Sequence, residues 1–128
     1  MAITTQELEE YLEESGLKYD VHESGDLIVL FGTERYTAAN NRNLILIVVS
    51  LSENGEFIKF FAPSAYDASD AANPLALYQS LLMIQWKIKM VDFELDINDG
   101  EIRPTIDFPL EDSTISFIAF ERCVRTLP

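Results

Sequence analysis

Basic residues, cysteine, histidine and long apolar runs are all scarce in this 128-residue chain. Nine Lys and Arg stand against twenty-two Asp and Glu, a net charge of −13. A phosphate backbone is held by basic patches that displace its counterions, so this balance argues against nucleic acid as a partner. It argues equally against docking on an anionic membrane surface. An acidic surface keeps a chain soluble through self-repulsion or steers a basic partner toward it, and composition alone leaves both open. The single cysteine, Cys123, excludes an internal disulfide and a cysteine-rich metal site. The longest apolar runs, 27–31 and 44–49, are far shorter than a membrane span. The start, Met1-Ala2-Ile3-Thr4-Thr5-Gln6-Glu7, lacks the basic and apolar regions of a signal peptide. Together these features predict a cytoplasmic protein.

Apolar residues are plentiful at 48% and charged residues ordinary at 24%, as in a folded globular chain. The length suits one domain, 1–128, with a self-sufficient core. Thr4 and Glu7 form a T-x-x-E capping box, and Ile3 and Leu8 are placed as a hydrophobic staple. A helix over 5–15 follows, with Leu8, Tyr11 and Leu12 as its apolar stripe and Gly16 as its left-handed stop. Strands are predicted over 19–24, 27–31, 44–51 and 57–62, with Asn54-Gly55 as a hairpin signal. Residues 63–73 read as a connection. Asn73 caps and Pro74 begins a second helix, reaching about Lys89. Residues 91–97 and 102–110 alternate as a half-buried hairpin around Asp99-Gly100. Pro104 there predicts an edge strand or a bulge, because it cannot donate to a ladder. Ser116 caps a last helix carrying Phe117, Phe120, Val124 and Leu127. Helices between runs of strands predict an α+β fold, an antiparallel sheet with three helices in the order α-β-β-β-β-α-β-β-α.

No motif carries chemistry. His22 lies beside a turn, and Cys123 lies on a helix stripe among aromatics, so a Cys–His pair is not expected. Asp96-Ile97-Asn98-Asp99-Gly100-Glu101 resembles a calcium loop, but an EF-hand register would place Leu95 at the first ligand position; a β-turn accounts for these residues. Phosphate-binding glycine loops, zinc helices and nucleophile elbows are absent. The sequence therefore predicts a non-enzyme with no catalytic residues, no cofactor and no metal.

What stands out is an excess of apolar surface. The runs 27–31 and 44–49 are apolar on both faces, and residues 57–62 behave likewise. The second helix carries Leu75, Leu77, Tyr78, Leu81, Leu82, Met83, Ile84, Trp86 and Ile88 around most of its circumference, so it wants cover on more than one side. Three helices can cover one face of a sheet. Two expectations stand side by side: an uncovered part of the sheet, or the Trp86 side of this helix, meets a protein partner or a second copy of the chain, or curling of the sheet and the first helix close the core internally. Core packing is the default reading of Tyr78 and Trp86; as the alternative, Tyr78, Met83 and Trp86 are the candidate contact residues, since Trp and Tyr are frequent interface anchors.

The block Leu81-Leu82-Met83-Ile84-Gln85-Trp86-Lys87-Ile88-Lys89-Met90, the hairpin with Asp99-Gly100-Glu101-Ile102-Arg103-Pro104, and Phe108-Pro109-Leu110-Glu111-Asp112 resemble the YbjN-like family, in particular its cyanobacterial members. That family is similar in fold to type III secretion chaperones. The resemblance spans 27–127. It implies an α+β chaperone-like fold and offers no catalytic residues. The secretion chaperones are small, acidic and dimeric, and hold a client segment against apolar patches. A chaperone-like interaction or regulatory role, with homodimerisation, is what the resemblance implies; a small-molecule binder or an enzyme is the alternative.

Overall fold

The computed structural model describes residues 3–38, 41–111 and 113–128; Asp112, the last residue of the third resemblance block, lies outside them. The chain opens on α1 (Thr5–Glu14). Thr4 accepts from the Glu7 amide through its side chain while the Glu7 carboxylate accepts from the Thr4 amide, so two otherwise orphaned donors are satisfied. Ile3 and Leu8 are both buried, as a staple requires. Gly16 takes φ +72°, the left-handed stop.

Seven strands follow, all antiparallel: β1 (Tyr19–Val21), β2 (Leu27–Gly32), β3 (Leu44–Ser52), β4 (Phe57–Phe61), β5 (Tyr66–Asp67), β6 (Asp92–Leu95) and β7 (Glu101–Pro109). α2 (Pro74–Lys87) and α3 (Phe117–Thr126) complete the expected α+β order. The two-residue β5 falls inside the predicted connection. Asn54-Gly55 turns the chain between β3 and β4 within one 3-10 turn, with Asn54 itself left-handed at φ 58°.

The sheet runs β1-β2-β3-β4-β7, with β5 and β6 also on β7. Thr105 faces both Phe61 of β4 and Asp92 of β6, and Ile102 faces both Tyr66 of β5 and Leu95 of β6. β7 is therefore an interior strand, with β4 and β5 end to end along one side and β6 along the other. This corrects the reading of Pro104 as an edge or bulge residue. Its carbonyl accepts from Ala62, so its nitrogen faces the break between β4 and β5, where no ladder hydrogen bond is lost.

Register fixes which side each strand residue takes. One side carries Leu27 and Val29 of β2, Ile45, Ile47 and Val49 of β3, Ile58 and Phe60 of β4, and Ile106 of β7. All are buried in one cluster with Leu8 and Leu12 of α1 and Phe120, Cys123 and Val124 of α3. A smaller cluster of Ala68, Leu81 and Ile102 attaches α2, with Leu77, Tyr78 and Phe93 packed on it. Ile102 shares the parity of Ile106 along β7, so α2 lies on the same side as α1 and α3.

Candidate functional site

All three helices thus occupy one side of the sheet. The other side is the set Ile28 and Leu30 of β2, Leu44, Leu46 and Val48 of β3, and Phe57, Lys59 and Phe61 of β4. Arg103, Thr105 and Asp107 of β7 and Asp92 and Glu94 of β6 extend it. None of its apolar side chains belongs to either core cluster. Leu30 is 52% exposed. Ile28, Leu44, Leu46 and Phe61 are half-buried, and Val48, in the middle of the face, is buried. The sequence expectation that these strands are apolar on both faces is met, and the second face has no cover from the chain's own helices.

Beside this band stands an ion lattice. Lys59 Nζ is 3.0 Å from Glu94 Oε1, and Arg103 approaches Glu94 Oε2 at 3.8 Å. Both cations lie over the Phe61 ring, at 5.7 and 4.6 Å from its centroid. Partial burial opposes ionisation of Glu94, but its hydrogen bond and attraction to Lys59, helped by Arg103, hold the carboxyl below its ordinary value. A depressed folded pKa contributes stability at pH above the unfolded value near 4.5 and loses it as pH falls through the folded value. Glu94→Gln should therefore lower the melting temperature at neutral pH and cease to matter in strong acid; a constant difference from pH 7 to pH 2 would contradict the pairing.

α2 is the second exposed apolar element. Asn73 accepts from the Ala76 amide and Pro74 begins the helix, as the sequence predicts. Of its fourteen residues only Leu81 is buried. The Gln85 side chain holds α2 to the sheet by accepting from the Phe93 amide on the outer edge of β6. Trp86 is 89% and Leu75 77% exposed, and Leu82, Met83 and Ile84 are exposed beside them. Leu75, Leu82 and Trp86 are seven and four residues apart, one stripe of the helix. Of the three candidate contact residues, Met83 and Trp86 lie open, whereas Tyr78 is half-buried on the packed flank with Leu81. Leu75 and Leu82 were not singled out by sequence, because an apolar pattern all round a helix does not say which side is packed.

So thinly anchored a helix should open locally at a cost well below global unfolding. Hydrogen exchange is expected to release the α2 amides orders of magnitude sooner than those of β2, β3 and β4; equal protection would mean that the small cluster around Leu81 and the Gln85 hydrogen bond hold α2 as firmly as the core holds the sheet.

The residues weighed for chemistry are dispersed or already engaged. His22 is exposed and bonded to Ser24 in the turn after β1. Cys123 is buried on α3, and burial pushes its thiol pKa up, away from the nucleophilic thiolate. The carboxylates of Asp96, Asp99 and Glu101 lie within 4.8 Å of one another, but they accept from the amides of Asn98, Glu101 and Ser64 respectively. Gly100 closes this turn at φ +82°, and a Cβ there would stand 2.9 Å from Asp67 Oδ1. This is the β-turn expected from sequence. Arg103 lines a depression of about 390 Å³ with Glu94, Asp96 and Glu101. Tyr36 lines an apolar cleft of about 200 Å³ between the two clusters, and its hydroxyl is spent on the Ala65 carbonyl at 2.7 Å. Among the described residues no helix is long and apolar enough to cross a membrane.

Comparison of the chain with protein-family models, with curated proteins and with solved structures returns no match.

Proposed function

We propose that this protein is a non-enzymatic interaction module, chaperone-like in binding by apolar contact, and that α2 is the surface through which it meets another polypeptide, in the first instance a second copy of itself. The observation that carries the reading is a fourteen-residue helix that buries one side chain and exposes Leu75, Leu82, Met83, Ile84 and Trp86.

Two quantities support it. Six aliphatic side chains stand exposed on α2 and just beyond its end together with Trp86, a contiguous apolar patch of the several-hundred-Å² order that marks interaction sites and a large part of the ~800 Å² that one partner contributes to a standard interface. Charge favours self-pairing at this place. Residues 71–91 hold no acid in a chain of twenty-two, and their charges are Lys87 and Lys89. Two copies of a −13 chain repel across their acidic surfaces, so an acid-free helix is a place where they can meet at low cost. The resemblance to the YbjN-like family points the same way, toward an acidic cytoplasmic chaperone-like protein.

Sedimentation equilibrium from micromolar to millimolar concentration tests the proposal. Reversible association that Leu82→Glu abolishes is the expected result. A strictly monomeric species that binds no hydrophobic dye would remove the basis for it.

A further inference from the structure

The uncovered sheet face is a separate surface from α2, on the opposite side of the sheet, and it has a shape. Phe61, Val48 and Ile28 form one row across β4, β3 and β2; Leu46 and Leu30 form the next; Leu44 continues it opposite Gly32, which adds no side chain. The band is three strands wide. At about 4.8 Å between strands it spans roughly 10 Å, the diameter of one α-helix. At its β1 end Ile28 and Leu30 line a depression of about 610 Å³ with Leu17, Lys18 and Asp20.

Its charge is equally specific. The strand residues on this side include six acids, Asp20, Asp67, Asp92, Glu94, Glu101 and Asp107, against two bases, Lys59 and Arg103. Both bases are committed to Glu94. Asp20 stands directly beside Ile28, and Asp107 lies one row beyond Phe61 as the cross-strand neighbour of Lys59; neither enters an ion pair among the described residues. An apolar strip on a face where acids outnumber bases six to two suits a helix with an apolar stripe and basic flanks, and repels one with acidic flanks.

We infer that this face is a docking site for one amphipathic helix of another protein, its apolar stripe laid across β2, β3 and β4 and its flanks basic. The site goes beyond the α2 contact and does not depend on it.

A fluorescein-labelled synthetic peptide of leucine and lysine in helical periodicity is the probe, with its leucine–glutamate counterpart as the opposite charge pattern. Fluorescence anisotropy at physiological salt should show binding of the lysine peptide alone. The double variant Leu30→Ser, Leu46→Ser should weaken it about tenfold or more, Asp20→Asn with Asp107→Asn severalfold and with less salt dependence, and Trp86→Ala not at all. Methyl NMR of the unmodified protein gives a reading that no folding defect can mimic: the Leu30, Leu46, Ile28 and Val48 methyls should shift on titration. No binding, equal binding of the two peptides, indifference to the serine pair, or shifts confined to α2 would each overturn the site. So would methyl shifts of the band on simple dilution, which would assign the face to a second copy. Loss of self-association through Leu82→Glu leaves the peptide result unchanged, so the two surfaces fail independently.

Discussion

Phe60→Ala is expected to cost about 3–5 kcal/mol of stability, the usual range for truncating a fully buried phenylalanine. Phe60 is wholly enclosed on β4. Its ring meets Phe120 of α3 at 5.6 Å between centroids and Phe108 of β7 at 6.5 Å. It therefore joins the centre of the sheet to the helix that covers it, and its loss opens a cavity in the one place where sheet and helix both contribute. In a domain of this size each kcal/mol moves the melting temperature by roughly 3–5 °C, so a fall of about 10–20 °C should be seen by circular dichroism. A fall of only a few degrees would mean that α3 collapses onto the sheet and refills the space.

Trp86→Ala has the opposite signature. The side chain is almost fully exposed, so unfolding of the isolated subunit should change by no more than about 0.5 kcal/mol. Truncating a tryptophan at the centre of an interface typically costs about 2 kcal/mol or more, a weakening of roughly thirtyfold. The two numbers are measured on the same protein, one by denaturant titration and the other by sedimentation. Equal losses in both would make Trp86 part of the fold; loss in neither would remove it from the interface. Leu81→Ala provides the contrast on the same helix, since Leu81 is the buried residue of α2 and should lower stability by detaching the helix.

Much of the fold was legible because its signals are local. The Thr4–Glu7 box, the Asn73 and Ser116 caps and the Gly16 stop fix helix starts and ends within four residues of sequence, and each appears in the structure as a hydrogen bond or a left-handed φ. The doubly apolar strands were legible because their apolar runs are continuous and do not alternate. Pro104 was misread as an edge because the sequence does not show that β4 and β5 break opposite it. β5 was missed because two residues are too short to carry a period. Tyr78 and Trp86 looked equivalent, since an all-round apolar helix has no preferred side until Ala68 and Ile102 select one.

The sequence by itself determined the elements, their two-sided apolar character and the long acid-free stretches 35–52 and 71–91 in an otherwise acidic chain, because periodicity and charge are properties of neighbouring residues. Only the tertiary structure decided that α2, crossing from β5 to β6, lands beside α1 and α3 rather than on the opposite face. That choice depends on how distant strands pair, and it leaves Ile28, Leu30, Leu46, Val48 and Phe61 without a helix over them.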